Sequence, residues 1–338
     1  MKRVCAVLLL AVITTIVSAS PITGLLERID KGASKKFIIE EVKSDTDFFE
    51  LDQKGSRVVI RGNNSVSIAT GLNWYLKYYA GIHLSWNGMT ATLPDVLPPV
   101  MTKLPWRYDL NYCTYSYSMA FWDWERWEKE IDWMALHGIN LPLVITGTET
   151  VWYNVLQKLG YNKTEIDEFI SGPGFFAWWL MNNLEGWGGP NPDHWYTQQV
   201  SLQKKILKRM HEYGIEPVLP GYCGMVPHNA KAKLGLNVSD PGVWCGYRRP
   251  AFLQPDDSRF EEISSLYYKE LEKLYGKANY YSMDPFHEGG STDGVNLDAV
   301  GKAVMKAMKK ANPKAVWVIQ AWQANPRPEL IRNLETGD

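Results

Sequence analysis

The sequence has no excess of charge of either sign. Its 338 residues hold 36 Lys and Arg against 37 Asp and Glu, which gives a formal net charge of −1. A nucleic-acid-binding protein presents a clustered positive surface to the phosphate backbone. We therefore expect no nucleic-acid partner.

Cysteine is scarce, and its spacing fits no metal site. Cys5 falls in an apolar N-terminal stretch, which leaves Cys113, Cys223 and Cys245. Three is an odd number, so at least one thiol is expected to be free. The six His are scattered, and no Cys/His spacing resembles that of a zinc site. We expect no metal and no cofactor.

Long apolar runs are absent except at the N-terminus. Lys2 and Arg3 precede the apolar run 4–17, and Val17-Ser18-Ala19 is a small-residue cleavage site. This order is typical of a secretory signal peptide. The run is too short to span a bilayer comfortably, and no other stretch could cross one. The sequence predicts a signal peptide at 1–19, cleavage after Ala19, and a secreted or periplasmic protein without a membrane span.

Aromatic residues are abundant by contrast, with 15 Trp, 18 Tyr and 10 Phe. Trp faces are common in sugar-binding clefts because the C–H groups of a pyranose pack on them. Trp also fills cores, and several of these residues are expected to do only that.

Residues 20–105 are predicted to form a small α/β domain and a linker. The segments 36–42, 57–61 and 82–86 have the composition of strands. A helix is expected from Asn64 or Ser65 to Tyr79, with apolar side chains at helical spacing. The Pro-rich segment 93–105 is the predicted linker.

From residue 106 to 338, strands and helices alternate. Strands are predicted at 109–117, 139–146, 215–219, before Glu288 and at 315–322, and helices at 122–137, 148–159, 198–213, 260–274 and 295–310. Five such units are typical of a doubly wound sheet or a (β/α)8 barrel. No Gly-rich phosphate loop follows the first strand, which argues against a nucleotide site.

The segment 279–290 (NYYSMDPFHEGG) is the most informative part of the chain. A short apolar strand must end at Asp284-Pro285, because Pro cannot donate to a central sheet ladder. Glu288 then follows among aromatic side chains, where it is well placed for acid/base chemistry. The alternative is that Glu288 caps a helix beginning near Gly294.

Several long stretches, in order, match one known family. They are 111–118 (NYCTYSYS), 122–127 (WDWERW), 130–140 (EIDWMALHGIN), 172–178 (GPGFFAW), 217–220 (PVLP) and 282–288 (SMDPFHE). From about Ser65 onward the chain resembles glycoside hydrolase family 89, the α-N-acetylglucosaminidases. The resemblance implies an α/β fold, in which a small N-terminal α/β domain precedes a (β/α)8 barrel, and removal of terminal α-linked N-acetylglucosamine from glycans.

The resemblance also implies site residues. Glu288 corresponds to the general acid/base at the end of the fourth barrel strand. The substrate-binding positions that match are Asn111, Cys113, Trp178, Trp244 and Trp322. His287 stands where the family often has Asn, so the protonation of this imidazole becomes a variable.

A retaining glycosidase needs a second carboxylate about 5–5.5 Å from the first, as nucleophile. The family places it on the seventh strand, whereas this chain is expected to contain about five βα units and to be a fragment lacking that group. Glu149 and Asp284 are interpreted as structural or rim residues rather than substitutes. A non-catalytic N-acetylglucosamine-binding fragment is the alternative function, and a β-hexosaminidase is a weaker third.

Overall fold

The computed structural model of the chain describes residues 20–86, 100–101, 105–332 and 334. The predicted signal peptide and most of the predicted linker lie outside the described residues. The predicted domain limits, 20–105 and 106–338, stay a prediction, because residues beside that boundary are among those not described.

The described residues of the N-terminal part form a four-stranded sheet, two α-helices and a 3-10 turn, Ala33–Lys36. Its strands are β1 (Phe37–Glu41), β2 (Phe48–Lys54), β3 (Arg57–Gly62) and β4 (Val100–Met101), in the order β1-β3-β2-β4. Strands β1 and β3 are parallel, and β2 runs antiparallel to both of its neighbours. Helix α1 spans Pro21–Ile29 and α2 spans Ser65–Tyr78, whose N-cap is Asn64.

One expectation for this part is wrong, and one strand was not predicted. Residues 82–86 form no strand: the Ile82 N–H donates to the Leu76 carbonyl at 2.8 Å, so the chain folds back on the end of α2. Strand β2 was not predicted, because charged residues interrupt its apolar pattern. In the structure only two of its seven residues are buried.

The rest of the described chain is built on five short parallel strands. They are β5 (Tyr108–Asp109), β6 (Leu141–Pro142), β7 (Val218–Pro220), β13 (Tyr280–Ser282) and β14 (Val316–Val318). Strand β5 pairs with β6, a Leu143–Val218 bridge joins β6 to β7, and β7, β13 and β14 pair in that order. Sequence order is therefore spatial order, as in a (β/α)8 barrel.

Helices connect these strands, and smaller strands lie in the loops. The helices are α3 (Tyr112–Thr114), α4 (Trp124–Leu136), α5 (Glu149–Lys158), α6 (Lys163–Asp167), α7 (Phe176–Leu180), α8 (Asp193–Tyr213), α9 (Ala230–Leu234), α10 (Phe260–Tyr275), α11 (Leu297–Ala311) and α12 (Pro328–Ile331). The loop strands are β8 (Met225–Val226), β9 (Val238–Ser239), β10 (Val243–Trp244), β11 (Tyr247–Arg248) and β12 (Ala251–Leu253). The predicted long helices are confirmed within a few residues.

Two loops differ from expectation. The predicted strand 109–117 ends at Asp109, because Leu110 takes a left-handed backbone (φ 67°) and Asn111 caps α3. A π-helical turn, Tyr115–Met119, continues from α3. The segment 221–255, for which no strand or helix is predicted, holds two small antiparallel sheets, β8-β12-β9 and β10-β11.

The curved sheet is crossed by side chains on its inner side. Gln320 Nε2, beyond β14, donates to the Tyr108 hydroxyl on β5 at 3.3 Å. Trp106 Nε1 donates to the Tyr280 hydroxyl on β13 at 3.2 Å. Within the described residues β5 pairs only with β6, and β14 only with β13, so the sheet is open at both edges.

Candidate active site

Glu288 follows the fourth of the five parallel strands, where the sequence predicts it. Strand β13 ends at Ser282, and a single 3-10 turn, His287–Gly289, carries the carboxylate. Glu288 (φ 50°) and Phe286 (φ 60°) both take the left-handed conformation, which costs about 1 kcal/mol or more for a residue with a Cβ. The alternative role of Glu288, as the cap of the next helix, is excluded. Asn296 caps that helix, α11, by accepting from the Ala299 N–H at 3.1 Å.

The Glu288 carboxylate accepts one hydrogen bond on each oxygen. Asn183 Nδ2 donates to Oε2 at 2.7 Å, and Trp322 Nε1 donates to Oε1 at 2.9 Å. Asn183 is fully buried, whereas Trp322 is half-exposed and lines the adjoining cavity. The Oε1 atom therefore lies on the cavity side.

Arg249 holds the backbone of this turn in place. Its guanidinium is buried and donates to the carbonyl oxygens of His287 at 3.1 Å and Glu288 at 2.8 Å. It also donates to the Asn182 carbonyl at 3.2 Å and to Asn183 Oδ1 at 2.8 Å. One side chain thus fixes both the left-handed turn and the amide that contacts Glu288.

Asp284 connects the same strand end to the loop that carries Trp322. Its buried carboxylate accepts from the Gln320 N–H and from Asn325 Nδ2, each at 2.9 Å. Asn325 in turn exchanges two backbone hydrogen bonds with Trp322, at 2.9 and 3.1 Å. Burial raises the pKa of Asp284 to about 7. These contacts support the structural role expected for Asp284.

A cavity of about 900 Å³ adjoins Glu288 and runs along the inner side of the sheet. All seven residues named from the sequence line it: Asn111, Cys113, Trp178, Trp244, His287, Glu288 and Trp322. Among the described residues that line this cavity, Glu288 is the single carboxylate. A pocket with aromatic walls and one carboxylate suits a neutral sugar.

Three aromatic rings form one wall of the cavity. Trp178 stacks near Trp244, with ring centroids 6.3 Å apart and an interplanar angle of 28°, and Tyr117 meets Trp178 edge-on at 5.1 Å. Trp179 is fully buried, as expected for the neighbour of a cleft-facing Trp178. Tyr117 was not singled out from the sequence, where its surroundings were predicted to be a strand.

Asn111 and Cys113 reach the cavity from a short helix rather than from a strand. Asn111 Oδ1 caps α3 by accepting from the Thr114 N–H at 3.0 Å. Burial raises the pKa of the Cys113 thiol, and the negative charge of Glu288 raises it further. Cys113, Cys223 and Cys245 are all free thiols.

His287 is buried directly before Glu288. Burial lowers its pKa, so its neutral form is favoured at pH 7. Its Nδ1 atom has no hydrogen-bond partner among the described residues. The residue nevertheless lines the cavity, directly beside Glu288.

Glu149 lies apart from the cavity. It is buried at the start of α5, accepts from Trp195 Nε1 at 2.8 Å, and lines a separate small cavity of about 30 Å³. Burial raises its pKa to about 7. Its burial and its contact with Trp195 fit the structural or rim role interpreted from the sequence.

Two features are absent from the described residues. In that part of the chain no group of three or more His, Cys, Asp or Glu could hold a metal ion. The described helices include none that is long and apolar enough to cross a membrane.

Comparison with known proteins gives a consistent result. The family model of the α-N-acetylglucosaminidase (NAGLU) TIM-barrel domain matches residues 107–333, and that of the NAGLU N-terminal domain matches residues 20–99. The chain belongs to the α-N-acetylglucosaminidase family. This confirms the resemblance and the fold class predicted from the sequence, a small α/β N-terminal unit followed by part of a (β/α)8 barrel.

Individual family members show how close the match is. Human α-N-acetylglucosaminidase is 40% identical over 302 residues, which are 85% of this chain and 41% of that protein. A family 89 glycoside hydrolase from Clostridium perfringens, solved with 2-acetamido-1,2-dideoxynojirmycin, has 38% identity and a TM-score of 0.88, covering 92% of this chain and 37% of that one.

A family 89 structure from the same organism carries two Glu-to-Gln substitutions and holds its substrate, GlcNAc-α-1,4-galactose. It gives a TM-score of 0.87 at 38% identity, over 91% of this chain and 37% of its own. The chain thus spans about two fifths of the length of the relatives it matches.

Proposed function

We propose that the cavity binds a terminal α-linked N-acetylglucosamine of a glycan, and that Glu288 is the general acid/base of its retaining hydrolysis. The observation that carries the proposal is that the seven residues named through the family resemblance all line one cavity, whose described lining holds a single carboxylate. The relatives support it, since one is an α-N-acetylglucosaminidase and another holds GlcNAc-α-1,4-galactose.

The proposed chemistry assigns one step to Glu288. Its proton passes from Oε1 to the glycosidic oxygen as the bond to the anomeric carbon breaks, and a second carboxylate attacks that carbon. The described part of the cavity offers no such second group. We therefore propose that this 338-residue chain, on its own, binds the sugar but is inactive in its hydrolysis.

The remaining site residues have binding roles in this proposal. Trp178, Trp244 and Trp322 pack against the sugar ring, and Asn111, Cys113 and His287 meet its polar groups. The predicted secreted or periplasmic location would place this site where extracellular glycans are met.

An external nucleophile tests the role of Glu288 without the second carboxylate. Azide can attack the anomeric carbon of an aryl α-N-acetylglucosaminide, which forms the β-glycosyl azide as the aryl alcohol leaves. With a phenyl leaving group, Glu288→Gln should slow this reaction by about 10²–10⁴-fold. With a dinitrophenyl leaving group, which needs little protonation, the loss should be much smaller. Equal rates for Glu288→Gln and the unaltered chain on the phenyl substrate would contradict the proposal.

The non-catalytic alternative is kept because only one carboxylate lines the described cavity. Calorimetry with methyl α-N-acetylglucosaminide separates the two functions. Binding without azide-dependent cleavage supports the carbohydrate-binding function, and binding with it supports the acid/base function. A chain that does not bind the methyl glycoside contradicts both.

A further inference from the structure

A group of aromatic side chains continues outward from the cavity wall. We call Phe175, Trp187 and Tyr247 the distal aromatic patch. Phe175 lies 6.3 Å from the cavity residue Trp178, Trp187 lies 6.0 Å from Phe175, and Tyr247 lies 4.7 Å from Trp187, all between ring centroids. The rings thus form an unbroken series of contacts that begins inside the cavity.

A second connection joins the patch to the same wall. Tyr247 pairs with Trp244 across the β10-β11 hairpin, and Trp244 stacks near Trp178 in the cavity. The hairpin therefore presents one aromatic residue to the cavity and its partner to the patch. Trp187 is 45% exposed, so part of its ring surface is accessible to a ligand.

The loop that carries Trp187 is held tightly on both sides. Gly186 and Gly188 have φ values of +67° and +70°, and a Cβ would meet the Glu168 carbonyl oxygen at 2.2 Å or the Phe175 ring at 2.6 Å. The Trp187 carbonyl accepts from the Gly172 N–H at 2.9 Å, and the Gly186 N–H donates to the Phe169 carbonyl at 2.9 Å. The backbone that carries the indole is thus fixed in advance, and the ring itself contacts Phe175 and Tyr247, which lowers the entropy cost of binding a ligand.

We propose that the distal aromatic patch is a second carbohydrate subsite, which binds a sugar further along the same glycan whose terminal N-acetylglucosamine occupies the cavity. This rests on the proposed function. An aromatic face packs on the C–H face of a pyranose, and the steps between rings lead from the cavity to the patch. The patch thereby selects extended glycans over short ones.

The test compares two ligands on the full 338-residue chain. Methyl α-N-acetylglucosaminide fills the cavity alone, and a tetrasaccharide ending in GlcNAc-α-1,4-galactose extends beyond it. The unaltered chain should bind the tetrasaccharide about tenfold more tightly, as expected for one well-packed aromatic contact. Trp187→Ala should remove that gain and leave the affinity for the methyl glycoside unchanged, whereas Trp187→Phe should retain part of it.

Tyr78→Ala is the matched control, because Tyr78 is a 54% exposed aromatic residue on α2 of the N-terminal part. It should keep the full tetrasaccharide gain. The distal subsite alone is contradicted if the unaltered chain binds the two ligands with equal affinity. It is also contradicted if Trp187→Ala keeps the higher affinity for the tetrasaccharide. A chain that binds neither ligand contradicts the proposed function and the distal subsite with it.

Discussion

Asn183 and Glu288 are 105 positions apart in the chain, yet the Asn183 amide nitrogen lies 2.7 Å from Glu288 Oε2. The other end of that amide, Oδ1, accepts from Arg249 at 2.8 Å. Because a guanidinium can only donate, Arg249 determines which end of the amide faces Glu288. The carboxylate therefore always meets an N–H on its buried side.

Replacing Asn183 by Asp tests this orientation. The substitution keeps an acceptor for Arg249 but removes the donor to Glu288 and adds a second negative charge beside it. We expect the azide-dependent cleavage of the phenyl glycoside to fall by about a hundredfold, because misplacing a reacting group has an effect of that order. Product analysis of the β-glycosyl azide measures it.

Asn183→Ala is the comparison, since it loses both contacts of a fully buried side chain. It should lower the free energy of unfolding by roughly 1–3 kcal/mol. An Asn183→Asp chain with the original rate would show that the hydrogen bond to Glu288 does not position the carboxylate.

Arg249 supplies a second prediction, on stability. Arg249→Met would leave the carbonyls of Asn182, His287 and Glu288 without this donor, and we expect the free energy of unfolding to fall by roughly 3 kcal/mol. Denaturant unfolding measures this loss.

Hydrogen exchange localises the same effect. Amide protection in the turn 286–289 should decrease in Arg249→Met, while that of α2 should stay as it is. Unchanged protection in the turn would mean that the left-handed backbone there is held by other contacts.

Asp284 predicts a pH dependence of stability. Its folded pKa is about 7 and its ordinary value is 3.8, so the folded chain binds this proton more tightly than the unfolded chain does. Stability from this group is present below pH 4 and is lost as the pH rises toward 7. The shift corresponds to at most about 4 kcal/mol.

Asp284→Asn isolates this contribution, because the amide oxygen can still accept from Gln320 and Asn325. The variant should gain stability relative to the unaltered chain at pH 8 and lose that advantage at pH 4.5. Melting temperatures at the two values measure it, and a difference between the chains that does not change with pH would contradict the expectation.

A neutral His287 should add no pH dependence of its own to sugar binding near neutrality. Burial lowers its pKa, so the imidazole is neutral above its ordinary value of 6.5. His287→Asn should therefore leave unchanged the way in which the affinity for methyl α-N-acetylglucosaminide varies from pH 6.5 to 8. An inflection in this range that disappears in His287→Asn would show a protonated imidazole in the binding step.

The sequence placed Glu288 after the correct strand, because an error in the end of one predicted strand does not change the number of βα units before it. The strand predicted at 109–117 stops at Asp109, yet it remains the first of the five, and β13 remains the fourth. The error has a local cause, since a left-handed Leu110 before a capping Asn111 is not visible in apolar periodicity.

Asn183 and Arg249 could not be found in this way. Neither lies in a motif, and Arg249 reaches the Glu288 carbonyl across 39 residues. An Arg in a loop is usually exposed, so no local pattern marks this one as buried. The residues of the cavity walls were predictable only through the family resemblance. Hydrophobic periodicity does not distinguish them from the aromatic residues that fill the core.

The left-handed backbone at Glu288 limits how this acidic group could be engineered into another scaffold. Grafting the turn 286–289 onto a different barrel would transfer the carboxylate but not the guanidinium that secures its carbonyls, because Arg249 comes from a separate loop. A transplanted turn without that anchor should relax to an ordinary conformation and direct the acid elsewhere. A successful graft would therefore need both loops, the one that carries Glu288 and the one that carries Arg249.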